Sequence, residues 1–313
     1  MPDGSRGTKT KVAALVGPTA AGKTAIALAL APRVAAEIVS VDSMQIYRGM
    51  DIGTATPPPA ELEAVPHHLV NLRDPSHELT VAEYQTLGRA AIADIAGRGR
   101  LPLLVGGSGL YFRAIVDDLT FPPRDPEVRA ALERDAEEEG AEALHDRLRA
   151  LDPRAAERIE PRNARRTVRA LEVIAITGQP FSAADAWDHY ASIYELSVAG
   201  LTLDRASLGR AIGGRVEMML ARGLVEEARA VERQGMSTTA RQALGYRQVL
   251  DAPHATLEEL AGAIASATRR FARRQESWFR ADPRITWFDA SDASLVERLE
   301  GHFRASLALA CQP

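Results

Sequence analysis

An apolar run, Val12-Ala13-Ala14-Leu15-Val16, leads directly into Gly17-Pro18-Thr19-Ala20-Ala21-Gly22-Lys23-Thr24. Strand, glycine-rich turn and helix follow in the order a phosphate-binding loop requires. Ile26, Leu28 and Leu30 announce the helix. Backbone N–H groups of such a loop point inward at phosphate oxygens, and the helix N-terminus adds its positive dipole end. Lys23 is placed to reach the terminal phosphates as a point charge, and Thr24 to offer a hydroxyl to Mg²⁺. A chain with this loop binds a diphosphate or a triphosphate. The remaining residues must say which.

The alternation continues downstream. Glu37-Ile38-Val39-Ser40-Val41 reads as a buried-type strand ending at Asp42. Thr80 to Ala96 reads as a helix opened by a capping box of Thr80 with Glu83. Leu101-Pro102-Leu103-Leu104-Val105 is a further strand running into Gly106-Gly107, and Ser108 to Leu119 the helix after it. The pattern predicts an α/β fold: a mostly parallel sheet with helices on both faces. Ligands of such sheets sit at the carboxyl ends of strands. The loop at Gly17, Asp42 and Ser108 all fall at such ends. At Phe121-Pro122-Pro123 the character changes to charged helix, and strand signals return at Leu196 to Leu201. This predicts an all-helical domain, 121–190, inserted into a core of 1–120 and 191–313. Ile285 to Phe288 reads as the last strand, and residues 1–10 as a disordered leader.

Asp42-Ser43-Met44-Gln45 puts a carboxylate opposite the phosphate loop. It could hold Mg²⁺, act as a general base on an acceptor nucleophile, or cap a turn. Gly106-Gly107-Ser108-Gly109-Leu110-Tyr111 lets a ligand approach closely, with Ser108 as helix cap and hydroxyl at once. The strand before it carries no acid, which weakens an ATPase reading. Arg162, Arg165, Arg166 and Arg169 share one helical spacing, opposite Val168, Leu171 and Ile174. Arg269, Arg270, Arg273 and Arg274 likewise oppose Ile264, Phe271 and Trp278. The net charge is -4, so any nucleic-acid site is a local basic patch, and these two rows are the candidates. Arg241 and Arg247 form a third group, able to clamp ligand phosphates from the far side. His67, His68 and His77 fit no common metal spacing and read as structural. The single cysteine, Cys311, excludes an internal disulfide and a cysteine-based zinc site. Pro2 to Thr10 is polar, so no signal peptide opens the chain. No apolar stretch approaches the ~20 residues a membrane span needs. A cytoplasmic, monomeric protein is expected.

The long motifs together resemble one family. Gly17 to Thr24, Asp42-Ser43-Met44-Gln45-Ile46-Tyr47-Arg48-Gly49-Met50-Asp51-Ile52-Gly53-Thr54-Ala55-Thr56-Pro57 and Pro66-His67-His68-Leu69 are similar to the tRNA dimethylallyltransferases. So are Gly106 to Tyr111, Arg169-Ala170-Leu171-Glu172-Val173, Gly245-Tyr246-Arg247-Gln248, and Arg273-Arg274-Gln275 with Trp278-Phe279-Arg280. The resemblance runs from about Lys11 to Trp287. It implies a P-loop NTPase-like core and transfer of a dimethylallyl group from dimethylallyl diphosphate. The acceptor it implies is the exocyclic amine of the adenosine just 3′ of the tRNA anticodon. It implies Mg²⁺ at Thr24, and Asp42, Lys23 and Arg241 as catalytic residues. Gly17, Pro18, Thr19, Ala20, Ala21, Gly22, Lys23, Thr24 and Arg247 would hold the phosphates. Asp42, Ser43, Met44, Gln45 and Ser108, with Arg162, Arg165, Arg166, Thr167 and Arg169 on the insertion, would hold tRNA. The chain departs in having Ser108 where the family usually has Thr, which keeps the hydroxyl. It also lacks the zinc-finger extension of eukaryotic relatives, which points to a bacterial-type enzyme. Two other chemistries share the loop: a small-molecule kinase using ATP, and a prenyl transfer to free adenine nucleotides. An RNA-binding nucleotide switch is a third reading. The insertion and the arginine rows argue against the first two.

Overall fold

A computed structural model describes residues 9–183 and 189–309. Most of the expected leader and Cys311 lie outside the described residues. The chain forms β1 (Lys11–Val16), α1 (Lys23–Leu30), β2 (Ala36–Val41), the short helices α2 (Asp51–Thr54) and α3 (Pro59–Ala64), and β3 (His67–His68). It continues through α4 (Val81–Gly97), β4 (Leu101–Gly106) and α5 (Gly109–Val116). Then follow α6 (Pro126–Glu138), α7 (Ala141–Leu151), α8 (Pro153–Arg158) and α9 (Ala164–Thr177). β5 (Glu195–Thr202), α10 (Arg205–Ala221), α11 (Leu224–Gln234), α12 (Thr238–Arg241) and α13 (Tyr246–Asp251) come next. α14 (Leu257–Arg280), β6 (Ile285–Asp289) and α15 (Leu295–Ser306) close the chain.

Six strands form one sheet in the order β3-β2-β4-β1-β5-β6, every pair parallel. Parallel neighbours need a crossover, and the helices between strands supply it. The crossovers cover both faces, so β1 and β4 are apolar on both sides rather than alternating. In β1, Val12, Ala14 and Val16 face one helical layer, which includes α4, α5, α10 and α14. Ala13 and Leu15 face the other, built largely from α1 and α15. This places β1 at the centre, with its C-terminal loop between the ends of β4 and β5.

Two compact units result: Met1–Asp117 with Tyr190–Pro313, and Asp118–His189. Among the described residues, the elements of the second are all helices. Its core is Leu132 of α6, Leu144 and Leu148 of α7, Ala155 and Ala156 of α8, and Val168 and Leu171 of α9.

Several local expectations are corrected. The helix expected over Ser108–Leu119 stops at Val116. Thr80 does accept the N–H of Glu83, but Glu83 gives its carboxylate to Arg73 and His77, at 2.8 and 2.7 Å, so the reciprocal half of the box is missing. His67 and His68, read from the sequence only as structural, form the edge strand β3. His68 bonds the buried Glu37 at 2.8 Å, and Arg98 meets the same carboxylate at 2.6 Å.

Candidate active site

The ends of β1, β2 and β4 and the helices α10 and α14 enclose a cleft of about 430 Å³. The loop after β1 builds its floor. Gly22 takes φ 81 as the N-cap of α1, a left-handed conformation that suits glycine. The first turn of α1 then presents N–H groups that have no partner within the helix. Thr19, Ala20, Gly22, Lys23 and Thr24 line the cleft. Ala21 packs inward instead, into the core beneath α1. Gly17 and Pro18 serve through their carbonyls, which accept from Lys23 Nζ at 3.0 and 2.6 Å. Burial, then the charge of Arg215, pushes the Lys23 ammonium down to about 7, against the opposing pull of Asp42.

Asp42 lies one residue beyond β2 and faces the same cleft. Its Oδ1 accepts the Met44 N–H at 2.9 Å. The capping reading and the functional reading are therefore compatible: one oxygen fixes the turn while the group lines the cleft. Gln45 is a wall. Its Oε1 accepts from Ser40 Oγ at 2.7 Å, and its Nε2 reaches the carbonyls of Thr54 and Ala55 at 3.4 Å. Ser43 and Met44 sit in the turn and are not among the lining residues, and Met44 packs on the core. Ser108 occupies the N-cap of α5, but its hydroxyl makes no cap hydrogen bond.

The arginine facing the loop is Arg215 of α10, which the sequence reading missed. Burial lowers its pKa while Asp42 raises it. One signal was available: Arg215 sits between the core positions Ile212 and Val216, on the border of the buried stripe of α10. Arg241 and Arg247 do not line this cleft. Arg241 is bound to Asp251 at 2.8 Å with Glu232 at 3.7 Å, and Arg247 reaches Gln242 at 3.3 Å. Arg241 is thus paired with carboxylates outside the cleft. Met218 of α10, 54% exposed, and Phe271 of α14 add apolar surface at the cleft, beside Arg222. His67 lines it too, with Nδ1 donating to the Val65 carbonyl at 2.7 Å and burial lowering its pKa.

The arginine row of the helical unit is less uniform than its spacing implied. Arg162 precedes α9 and pairs with Glu142 at 3.2 Å. Arg165 and Arg166 are exposed. Thr167 is buried, its hydroxyl donating to the Asn163 carbonyl at 3.2 Å. Arg169 is spent inside the unit: it holds the carbonyls of Pro122 and Pro123 and pairs with buried Glu172 at 2.8 Å. Thr167 is thus buried in the unit, and the Arg169 guanidinium is bound within it. On α14, Arg269, Arg270, Arg273 and Arg274 are all exposed.

Among the described residues no group of three or more His, Cys, Asp or Glu side chains could cage a metal. Nor is any described helix long and apolar enough to cross a membrane.

Comparison with known proteins places this arrangement. A family model described as IPP transferase matches residues 45–282. A tRNA dimethylallyltransferase of Salinispora arenicola is 53% identical over 91% of this chain and 84% of its own. The crystal structure of a tRNA isopentenylpyrophosphate transferase from Bacillus halodurans superposes with a TM-score of 0.70. It is 40% identical and covers 96% of this chain and 97% of that one. A eukaryotic dimethylallyltransferase solved acting on tRNA gives a TM-score of 0.77 at 25% identity, over 91% of this chain and 75% of that one. With the family model covering most of its length and a curated relative at 53% identity, this chain belongs to the tRNA dimethylallyltransferase family.

Proposed function

We propose that the protein transfers a dimethylallyl group from dimethylallyl diphosphate to the exocyclic amine of an adenosine in tRNA, the one 3′ to the anticodon. The observation that carries the chemistry is one cleft shared by a phosphate loop with its lysine, a partly buried arginine, and a carboxylate at a strand end. Lys23 and Arg215 face the leaving group. Charge develops on the diphosphate as the C1–O bond breaks, and fixed cations there stabilise the transition state. The electron pair of that bond leaves on the diphosphate, and the allylic carbon becomes cation-like. The amine lone pair then forms the new N–C bond, and Asp42 takes the proton that nitrogen loses. The base must leave the anticodon-loop stack to reach the cleft. Exposed Arg165 and Arg166 of the helical unit suit the phosphate backbone of that RNA.

The oxygen donors at the loop fit Mg²⁺, a hard ion that keeps most of its shell as water and substrate phosphate. Thr24 would hold it, and it would neutralise diphosphate charge. No residue set resembling an all-protein cage is needed. The reading carries with it a cytoplasmic, monomeric enzyme.

Purified protein given labelled dimethylallyl diphosphate, Mg²⁺ and either tRNA or AMP is expected to label tRNA alone. No ATP is consumed. Label in AMP would establish the free-nucleotide chemistry instead, and stoichiometric ADP would revive the kinase.

Lys23 gives the reaction a pH signature. Its ammonium is half deprotonated near pH 7 in the free protein. A bound diphosphate favours the charged form, so binding draws a proton onto Lys23 above that pH. Pyrophosphate affinity should therefore fall as pH rises from 7 to 9. Calorimetry at pH 8 in buffers of differing ionisation enthalpy should report net proton uptake. Pyrophosphate titrates as well, so Lys23→Met is the reference. Equal uptake by that variant would remove Lys23 from the account.

A further inference from the structure

Gln275 joins two parts of the cleft that the chain keeps far apart. It lies on α14, only 7% exposed, and its amide is spent in both directions. Oε1 accepts the N–H of Thr19, in the phosphate loop, at 2.8 Å. Nε2 donates to the carbonyl of Gly107, after β4, at 2.9 Å. A carbonyl only accepts and an N–H only donates, so these partners fix the orientation of the amide. The local sequence is cut to suit it. A Cβ on residue 107 would come within 2.2 Å of Gln275 Nε2, so glycine leaves the space the amide fills. Gly107 is followed by Ser108, the cap of α5.

We propose that Gln275 is a positioning residue that holds the phosphate loop and the Gly107–Ser108 turn at a fixed separation. This rests on the transfer reading, in which the loop carries the leaving group and the end of β4 borders the incoming base. Such a tie acts before any ligand arrives. It consumes one loop donor and leaves the loop set for the diphosphate. It also fixes the carbon donor against the acceptor, and displacement of about 1 Å in such a geometry costs on the order of 10²-fold in rate. Gln275 reaches these atoms through backbone, which separates it from Lys23 and Arg215.

The test compares wild type, Gln275→Met and Gln275→Glu, each assayed well below its own melting temperature. Methionine keeps the length and removes both hydrogen bonds. Glutamate keeps an acceptor for Thr19 and loses the donor to Gly107. Gln275→Met should bind Mg²⁺-pyrophosphate roughly tenfold more weakly and transfer label in single turnover about 10- to 100-fold more slowly. Its tRNA affinity should stay within about twofold. Gln275→Glu should show the slow transfer as well, because the tie to Gly107 is gone. Normal pyrophosphate binding and transfer by Gln275→Met, or full-rate transfer by Gln275→Glu, would overturn the proposal. A purely structural role would lower the melting temperature and leave both readouts unchanged, which also overturns it. Failure of wild type to label tRNA would sink the transfer reading instead, while the pyrophosphate titration still reports on the tie to the loop.

Discussion

Asp42→Asn should cost about 10²- to 10⁴-fold in kcat, the usual range for losing a group that takes a proton in the transition state. Asparagine is the more telling substitution than alanine. Asp42 Oδ1 accepts the Met44 N–H at 2.9 Å, and an asparagine Oδ1 accepts it equally well. Alanine would lose that cap as well, at a cost of about 1 kcal/mol to the turn. The turn also carries Gln45, whose bonds to Ser40, Thr54 and Ala55 brace the wall. With asparagine the turn stays in place and the proton acceptor is gone. The melting temperature and tRNA affinity should be nearly those of wild type. Asp42→Ala should lose the same rate and some stability besides. If Asp42→Asn turned over within tenfold of wild type, Asp42 would be a turn cap and the proton would go elsewhere.

What the chain alone made legible is what short-range chemistry controls. The phosphate loop was readable because strand, glycines, lysine and helix are contiguous, and the left-handed φ of Gly22 is a local demand. Buried parallel strands were readable as apolar runs without alternation. β3 was not, because a two-residue edge strand of histidines has no apolar signature. Long-range pairing decided the arginines. Arg162 and Arg169 look alike in sequence, yet one pairs with Glu142 at the surface and the other seals the Pro122–Pro123 backbone with buried Glu172. Arg241 looked free to meet a phosphate until Asp251, ten positions on, was folded against it. Arg215 carried the opposite error. It shares its helix with Arg205, Arg210 and Glu217, and only the packing of α10 beside the loop reveals it. Gln275 belonged to a recognisable motif, but its role depends on Thr19 and Gly107, 256 and 168 positions away.

Arg215→Ala should lower kcat about 10²- to 10³-fold, as removal of one fixed donor from a developing anion does. The loss should exceed that in diphosphate affinity, because charge on the leaving oxygen is greatest in the transition state. Arg215→Lys keeps the charge but not the two-pronged donor, and should recover only part of the rate. A second readout distinguishes a leaving-group role from loss of packing. Burial is the main reason the Lys23 pKa is low, and the Arg215 charge is the next. Deleting that charge moves the Lys23 pKa upward. The pH at which pyrophosphate affinity begins to fall should therefore shift upward in Arg215→Ala, since Lys23 stays charged to higher pH in the free protein. Proton uptake on binding at pH 8 should shrink accordingly. A variant that merely loosened α10 against α14 would lower the melting temperature without moving the onset of that fall in a defined direction. Turnover within threefold of wild type, together with an unshifted pH profile, would show that Arg215 neither meets the diphosphate nor sets the charge of the lysine beside it.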